Sequence, residues 1–343
     1  MGRMLILVLA GGLVAGCKSV EREKAEARFE QAEEWYKISK YNEAKGLYKE
    51  ALDLMGGDHP EAALGLANCY RELCKIESIR YIDGDEKNGI DVKRVQMLYQ
   101  EAERFFLWAL EKRPDYRDAH YGLGLLYYET AVNKTLVQWV CRNDAERLDF
   151  RMRKLNAARD RFEKAYALDA GPQKSGAPQE YLALIYNLLG VEVVRRNDVR
   201  GAVECFEKSY ASAELYTAWI RFQLRLKTDA KVFDFFEARL RLFEELKADL
   251  DRSLAALNRQ LAEQSAREGD AQGAIDAYGK ALRNCDRYLA WLQKQTAPPG
   301  DPDFKTVRRK PVLELREQIR KALVGLGQSP VPPPAPDEAK TAG

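Results

Sequence analysis

The stretch YNEAKGLYKEAL, residues 41–52, carries the pattern that decides the fold. Ala44 is followed four residues later by Tyr48 and three residues after that by Ala51. Such spacings lie along one face of an α-helix. Two antiparallel helices approach closely only where a small side chain lies at their crossing, and an aromatic ring between two small residues fills the remaining gap. The stretch therefore predicts a helix packed closely against another helix.

The same triplet recurs along the chain, so it marks an internal repeat rather than one ordinary amphipathic helix. The further copies are Ala102-Phe106-Ala109, Ala158-Phe162-Ala165, Ala202-Phe206-Ser209 and Ala274-Tyr278-Ala281. Upstream of most copies a large residue stands beside a small one, as in Leu66-Ala67, Leu123-Gly124 and Leu189-Gly190. Turn residues separate the two helices at Asn197-Asp198 and at Gly269-Asp270. The pattern predicts an all-α chain of helix-turn-helix hairpins.

This arrangement resembles the tetratricopeptide repeat (TPR), a helix-turn-helix unit of about 34 residues with Trp, Leu-Gly, Tyr, Ala, Phe, Ala and Pro at set positions. Pro114 in LEKRPDY matches the closing proline of the repeat, whereas the first motif position is Trp in none of the five copies. The resemblance implies an all-α, TPR-like solenoid with two inserted extensions and a long C-terminal amphipathic helix.

The repeat boundaries and the composition predict the domain organisation. The predicted segments are a signal peptide over 1–16, a tether over 17–24, and a TPR-like array over 25–216 with insertions near 73–95 and 131–155. They continue with a long amphipathic helix region over 217–254, a final TPR-like repeat with capping helices over 255–326, and a disordered, proline-rich tail over 327–343. The last capping helix is expected from Pro311 to Leu326.

Apolar residues recur at helical spacing in a stripe that predicts one long helix from about Asp229 to Arg267. The stripe residues are Phe236, Leu240, Phe243, Leu250, Leu254, Leu257 and Leu261. Two interpretations are open at this point. The stripe packs along the end of the solenoid, or it pairs two copies of the chain in a coiled coil.

The first 17 residues, MGRMLILVLAGGLVAGC, have the layout of a secretory signal. The apolar run from Met4 to Ala15 is shorter than the roughly 20 residues that a membrane-spanning helix needs. Val14-Ala15-Gly16-Cys17 resembles the lipobox of bacterial lipoproteins, in which the chain is cut before the cysteine and the thiol is acylated. That resemblance implies lipidation of Cys17 and a lipid-anchored protein of the cell envelope. By the same resemblance, Lys18 favours the outer membrane, facing the periplasm, because enteric lipoproteins kept in the inner membrane have Asp at this position. The alternatives to the lipobox interpretation are an ordinary cleaved signal with a chance cysteine or a buried N-terminal strand.

Composition and motifs exclude several classes of function. The 343 residues include 55 Lys and Arg against 53 Asp and Glu, so no strongly basic field exists to hold nucleic acid. The chain has two histidines and no glycine-rich phosphate loop, nucleophile elbow or zinc-protease signature. The acidic segment DGDEKNGID, residues 83–91, lacks the Gly and Glu of an EF-hand loop. We therefore expect no enzyme, no cofactor and no metal site.

The cysteines other than Cys17 match neither a metal knuckle nor a dense disulfide framework. They are Cys69, Cys74, Cys141, Cys205 and Cys285. Most are expected to behave as small buried apolar residues, and a disulfide involving Cys141 or Cys285 is left open.

The resemblance to TPR proteins implies a membrane-anchored, non-catalytic scaffold or adaptor that binds a protein or peptide partner. In a solenoid such a partner lies in a concave groove, which in TPR proteins is lined by the first helix of each repeat. Mapped by position, the partner-binding residues are Asn68, Arg71, Glu72, Tyr121, Leu125, Tyr128, Glu129, Asn187, Val191, Val194 and Arg195. Two alternatives are a structural homo-oligomer through the helix around 236–261 and an envelope hydrolase with a groove carboxylate.

Overall fold

The computed structural model describes residues 2–80, 92–169, 176–226, 229–296 and 303–328, with side chains from Val20 onward except at positions 79, 80, 92, 135 and 139. These ranges contain twelve α-helices and no strand, so the predicted all-α class is confirmed. The helices are α1 (Gly2–Lys37), α2 (Tyr41–Leu54), α3 (Pro60–Arg80), α4 (Val92–Lys112), α5 (Arg117–Val132), α6 (Lys134–Val140), α7 (Asp144–Leu168), α8 (Ala177–Arg195), α9 (Val199–Leu226), α10 (Ala230–Arg267), α11 (Ala271–Lys294) and α12 (Phe304–Gly325).

The helices form two compact units, an N-terminal unit from Met1 to Pro178 and a C-terminal unit from Gln179 to Gly343. In the N-terminal unit α1 pairs with α2, α3 with α4, and α5 with α7, while α3 also contacts α2 and α5. In the C-terminal unit α10 lies against α9 and α11, and α12 packs on α11. Each unit is therefore a series of packed helical hairpins, as the TPR-like prediction requires.

Glycines in the N-terminal unit receive the aromatic rings of the repeated triplets. The ring of Tyr48 lies so close to Gly65 that any side chain there would overlap it, and Phe106 fills the same role at Gly122. Carbon atoms of Phe162 lie 3.1–3.2 Å from the point where a Cβ of Gly124 would stand. The small residues therefore set the distance between helices, which is the steric mechanism that the triplet predicted.

The C-terminal unit uses the same device at Gly190, where a Cβ would stand 2.6 Å from Cε1 of Phe206. The triplet of this hairpin ends in Ser209 instead of alanine. The Ser209 hydroxyl is buried and donates a hydrogen bond to the carbonyl of Ala183 at 2.7 Å. Serine is tolerated at this crossing because its one polar group is satisfied by the facing helix.

Among the described residues, the turns inside three helix pairs reverse the chain through a residue with positive φ. These are Ser39 at 61°, Asn197 at 61° and Gly269 at 80°, and Gly56 and Gly57 do the same between α2 and α3. The residue after the predicted Asn197 turn, Asp198, accepts a hydrogen bond from the N–H of Gly201 at 2.9 Å, and Asp270 does the same for Gly273 at 2.8 Å. The turn residues therefore end one helix, and the aspartates cap the next.

Part of the first predicted insertion continues the two helices that flank it. Helix α3 runs to Arg80 and α4 starts at Val92. The DGDEKNGID segment between them lies outside the described residues.

The second predicted insertion holds α6 and the first turns of α7. Asn133 and Asn143 cap these helices by accepting hydrogen bonds from main-chain N–H groups at 3.0 and 2.8 Å. Lys154 of α7 lies over the rings of Tyr99 and Tyr127, 4.8 and 4.6 Å from their centroids. Burial lowers the pKa of Lys154, and Glu103, whose carboxylate is 3.7 Å away, opposes that shift. These contacts pack the insertion back onto the hairpins.

Helix α10 spans the predicted range and is capped by Asp229, which accepts a hydrogen bond from the N–H of Lys231 at 2.9 Å. Its stripe is covered from within the chain. Phe243 packs edge-on against Tyr216 of α9, with ring centroids 4.6 Å apart, and Leu250 and Leu254 pack against Phe206. The structure therefore shows the packing interpretation for these stripe residues.

Helix α12 starts at Phe304 and includes Pro311, so the sequence-based start at Pro311 was wrong. Proline removes one helical hydrogen bond, and its ring lies on the exposed side, where water can satisfy the freed carbonyl. Val312, Ile319 and Leu323 hold the opposite face in the apolar cluster of the C-terminal unit. The tail from residue 329 lies outside the described residues.

Candidate partner-binding surface

Three of the predicted binding residues meet in the N-terminal unit, where the first helices of two successive hairpins lie side by side. Arg71 and Glu72 come from α3, and Glu129 comes from α5. Arg71 pairs with Glu72, and its Nη1 lies 3.6 Å from Oε1 of Glu129. Lys75 lies 3.3 Å from Glu72 and 3.7 Å from Glu129. We call these four residues the ionic cluster.

The ionic cluster is only partly open to solvent. The side chain of Arg71 is 10% exposed, that of Glu129 is 29% exposed and that of Lys75 is 43% exposed. Burial raises the pKa of the Glu129 carboxyl, and the charges of Arg71 and Lys75 oppose the rise. Two cations and two carboxylates therefore share a surface of low dielectric, where each charge depends on its neighbours.

Sequence reasoning missed two residues at this surface. Lys75 follows Arg71 by one helical turn, so its spacing placed it on the same face. Tyr36, at the end of α1, lies within electrostatic range of Arg71 and Glu72, and burial raises its pKa to about 12. No local signal linked Tyr36 to α3, because the contact depends on how α1 packs.

The other predicted residues on α3 and α5 have different environments. Asn68 is half-buried, and its Oδ1 lies 3.4 Å from the position of a Cβ on Gly122, so it lies against α5. Leu125 is buried and offers little surface to a partner. Tyr121 packs edge-on against Phe162, with ring centroids 5.5 Å apart. Tyr128 is half-buried next to Glu129.

The predicted residues on α8 form a separate group in the C-terminal unit. Val191 and Val194 are exposed, and Asn187 is half-buried. Arg195 donates a hydrogen bond at 2.8 Å to Glu192, which is itself buried. This surface is more apolar than the ionic cluster.

A cavity of about 1330 Å³ opens in the N-terminal unit between α1 and the turn after α2. Its lining is mostly charged and includes Glu21, Lys24, Arg28, Glu50, Asp53 and Asp58. None of the predicted partner-binding residues lines it. The cavity and the ionic cluster are therefore different surfaces of this unit.

Both histidines have structural contacts. His59 Nδ1 accepts a hydrogen bond from the N–H of Ala62 at 3.3 Å and so caps α3. His120 Nε2 bonds the carbonyl of Pro114 at 2.9 Å; burial lowers the pKa of His120, although this hydrogen bond opposes the shift. His59 also lies 3.4 Å from Glu61 and His120 3.4 Å from Arg161, so both rings are held by main-chain groups and by neighbouring side chains.

Four of the five cysteines with described side chains are buried, Cys205 is half-buried, and all five are free thiols. No group of three His, Cys, Asp or Glu side chains in the described residues has the arrangement of a metal site. Among the described helices, none combines the length and the apolar character needed to cross a bilayer. The side chain of Cys17 lies outside the described residues.

Comparison with known proteins identifies similar solved structures only. No family model matches the chain, and no curated protein matches it. A thermophilic TPR protein from Thermus thermophilus is 16% identical, with a TM-score of 0.38, over 84% of this chain and 99% of that one. A TPR repeats protein from Bacteroides fragilis is 13% identical, with a TM-score of 0.37, over 87% of this chain and 98% of that one.

A third similar structure is pilF of Pseudomonas aeruginosa. It is 14% identical, with a TM-score of 0.31, over 80% of this chain and 99% of that one. Because these TM-scores are low, the helical-hairpin fold is assigned from the helix packing described above and not from these similarities.

Proposed function

We propose that this chain is a membrane-anchored, non-catalytic scaffold that binds a protein or peptide partner in the bacterial cell envelope. The anchor is an acylated Cys17 in the outer membrane, with the helical hairpins facing the periplasm. The observation that carries the binding proposal is the ionic cluster, which gathers partly buried charges from two successive first helices at one surface.

The chemistry of the ionic cluster supports a binding role. Burying charged groups costs free energy that an apolar contact between α3 and α5 would not require. Lys75 is the most open member, and it is shared between Glu72 and Glu129 at 3.3 and 3.7 Å. A charged group of a partner can replace one of these contacts without leaving a buried charge unpaired. The expected partner segment is therefore polar and charged where it crosses α3 and α5.

The second group of predicted residues supports a partner with an apolar portion. Val191 and Val194 are 38% and 43% exposed on α8, three residues apart on one helix face. Exposed valines at this spacing offer a partner an apolar contact.

Site-specific photo-crosslinking tests the binding proposal. The photoreactive residue p-benzoylphenylalanine is placed at Tyr128, beside the cluster, or at Met97, which is 52% exposed on the second helix α4. Both forms are produced in the native host and irradiated in isolated membranes. We expect a crosslinked protein at position 128 and none at position 97, since only the first helix faces the groove.

Charge reversal at Lys75 gives the matched comparison. Lys75→Glu inverts the open charge of the cluster, whereas Lys49→Glu makes the same change at an exposed site on α2. Only Lys75→Glu is expected to lower the crosslinking yield, by about tenfold. The new carboxylate would repel an anionic group of the partner that Lys75 would otherwise bind. Equal yields from the two variants, or equal crosslinking at positions 97 and 128, would overturn the assignment of this surface.

A further inference from the structure

Cations are concentrated where the end of α11 meets the first two turns of α12. Lys305, Arg308, Arg309 and Lys310 fall within six consecutive residues of α12. Lys305 Nζ donates a hydrogen bond at 2.9 Å to the carbonyl of Gln293, so Lys294 of α11 lies beside them. We call these five residues the basic edge.

Little negative charge balances the basic edge. Arg308 lies 3.8 Å from Glu245 and stacks on the ring of Phe304, 4.5 Å from its centroid. Within the described residues, Arg309, Lys310 and Lys294 form no ion pair, although the exposed acids Asp303 and Glu314 flank this part of α12 in sequence. Further along α12, Arg316 pairs with Asp286 at 2.7 Å and Lys321 with Glu317 at 3.8 Å, whereas Arg320 forms no ion pair among the described residues. Most of the unbalanced positive charge therefore lies at the start of the helix.

Fold stability does not explain this placement. The N-terminal end of a helix carries a partial positive charge, so cations in the first turn are unfavourable and carboxylates are favourable there. Helix α12 has no acidic residue in its first turn, whereas α7 has Asp144 and Glu146 in that position. Of the four cations on α12, Lys305 lies in the first turn, where the dipole is unfavourable, and Arg308, Arg309 and Lys310 follow in the second turn. This end of the helix therefore carries an excess of positive charge that an external anion would stabilise.

Apolar side chains stand among the cations. Val307 is 66% exposed, and Leu313 is 38% exposed one to two turns further along. Val312, Ile319 and Leu323 fix the opposite face of α12 in the core, so the edge is held in place before any ligand arrives. Cations interspersed with exposed aliphatic groups on a preformed helix match a lipid headgroup layer, in which phosphates lie above acyl chains.

We propose that the basic edge binds the surface of an anionic phospholipid membrane. The inference rests on the proposed membrane anchor, which would hold the chain close to such a surface and raise the effective concentration of its lipids. Nucleic acid fits less well, because the aromatic ring at this edge, Phe304, is covered by Arg308 instead of being open for stacking with bases.

Crosslinking from position 307 in vesicles tests this proposal with the full chain. p-Benzoylphenylalanine replaces Val307 or, as a control, Val324, which is 53% exposed near the end of the same helix. The proteins are mixed with vesicles of equal parts phosphatidylglycerol and phosphatidylcholine, or of phosphatidylcholine alone. We expect lipid adducts at position 307 in the anionic vesicles only. The yield is expected to fall strongly between about 0.1 M and 1 M salt, where the Debye length shortens from about 10 Å to 3 Å.

Charge reversal separates the basic edge from a general charge effect. Arg309→Glu with Lys310→Glu is expected to lower the adduct yield by about tenfold or more. The control, Arg200→Glu with Arg225→Glu, makes the same net change at exposed positions of α9 and leaves the yield unchanged. Equal adducts in both vesicle types, equal loss in both double variants, or adducts at position 324 alone would overturn the proposal.

Two further readouts keep this test independent of the proposed function. Flotation of the chain with phosphatidylcholine vesicles reports the N-terminal anchor alone. The flotation and crosslinking samples contain no partner protein, so neither result depends on the ionic cluster. A chain that fails to float but still forms salt-sensitive adducts at position 307 supports the basic edge and contradicts the anchor. Adducts at position 307 with protein or glycan, but not lipid, in native envelopes would assign the edge to a different ligand.

Discussion

At Gly190 the absence of one methyl group lets the Phe206 ring reach the backbone of α8. Gly65 and Gly122 receive Tyr48 and Phe106 in the same way in the N-terminal unit. These contacts make single residues decisive, because a close-packed core has no room for an added carbon. Polar groups at the same crossings are equally constrained, since each buried donor or acceptor needs a partner.

The first prediction compares two glycine substitutions in the C-terminal unit. Gly190→Ala is expected to lower the free energy of unfolding by about 1–3 kcal/mol, because the new Cβ would stand 2.6 Å from Phe206. Gly279→Ala, in the interior of α11, meets its nearest atom at 3.6 Å and is expected to stabilise the helix by about 0.5–1 kcal/mol. Urea unfolding followed by circular dichroism measures both. Effects of the same sign would contradict the packing described for Gly190.

The second prediction concerns a hydrogen bond that links three helices. The Tyr216 hydroxyl of α9 donates to Oε2 of Glu180 on α8 at 2.7 Å, and Arg239 of α10 pairs with the other oxygen of that carboxylate. Tyr216→Phe is expected to cost about 1–3 kcal/mol, because a buried carboxylate oxygen loses its donor.

Tyr278→Phe is the control for Tyr216→Phe. Tyr278 is also a buried tyrosine, but its hydroxyl makes no hydrogen bond among the described residues. A change within about 0.5 kcal/mol is therefore expected. Thermal unfolding of both variants checks the difference, and equal losses would show that ring packing, not the hydrogen bond, was disturbed.

At the scale of the element, α10 shows how one long helix serves two neighbours. Its stripe residues Phe243 and Leu250 pack against α9. Its small residues Ala255 and Ala262 belong to a second apolar cluster, which α11 also lines. The stripe side chains that would form a coiled-coil seam are used inside the chain, so pairing two copies through them would require α10 to separate from α9.

The third prediction uses adjacent residues of α10. Phe243 is fully buried, and Phe243→Ala is expected to cost about 3–5 kcal/mol. Leu242 is 48% exposed, and Leu242→Ala is expected to change stability by no more than about 0.5 kcal/mol. Equilibrium urea unfolding measures both changes. Light scattering of the native chain over a dilution series adds an independent test. A constant mass is expected, whereas a mass that falls on dilution, and that Phe243→Ala reduces to that of one chain, would favour the coiled-coil seam.

At the scale of the whole molecule, the proposed function joins an N-terminal lipid anchor to two units of helical hairpins. The anchor proposal stands on the lipobox-like Val14-Ala15-Gly16-Cys17, and the binding proposal stands on the ionic cluster. Two or more acyl chains on one cysteine give stable membrane attachment, whereas one chain gives only marginal binding. Because the anchor and the binding surface depend on different residues, one proposal can fail without the other.

The fourth prediction is the lipidation of Cys17. Intact-mass spectrometry of the chain extracted from membranes of its native host is expected to show the loss of residues 1–16 and the addition of acyl groups. Cys17→Ser is expected to lose the acyl mass and to leave the membrane fraction. An unmodified mass that retains Met1 would contradict the anchor and the envelope location, and would leave the helical binding surface in an unassigned compartment.

Part of the candidate site followed from the sequence. The repeat alignment identified Arg71, Glu72 and Glu129, and the structure brings these three together. Lys75 and Tyr36 were not identified, and Leu125 proved to be buried. Alignment gives the position of a residue within its own helix, whereas its exposure depends on the helices packed around it.

The sequence by itself determined the all-α class, the hairpin repeat, the turns at Asn197 and Gly269 and the extent of α10. These features depend on local periodicity, on capping groups and on which residues adopt positive φ, all of which are written in consecutive residues. Only the tertiary structure decided which helix covers the α10 stripe, where α12 begins and which charges meet between α3 and α5. Those outcomes depend on distances between segments far apart in sequence, which are set by the packing of side chains across helices.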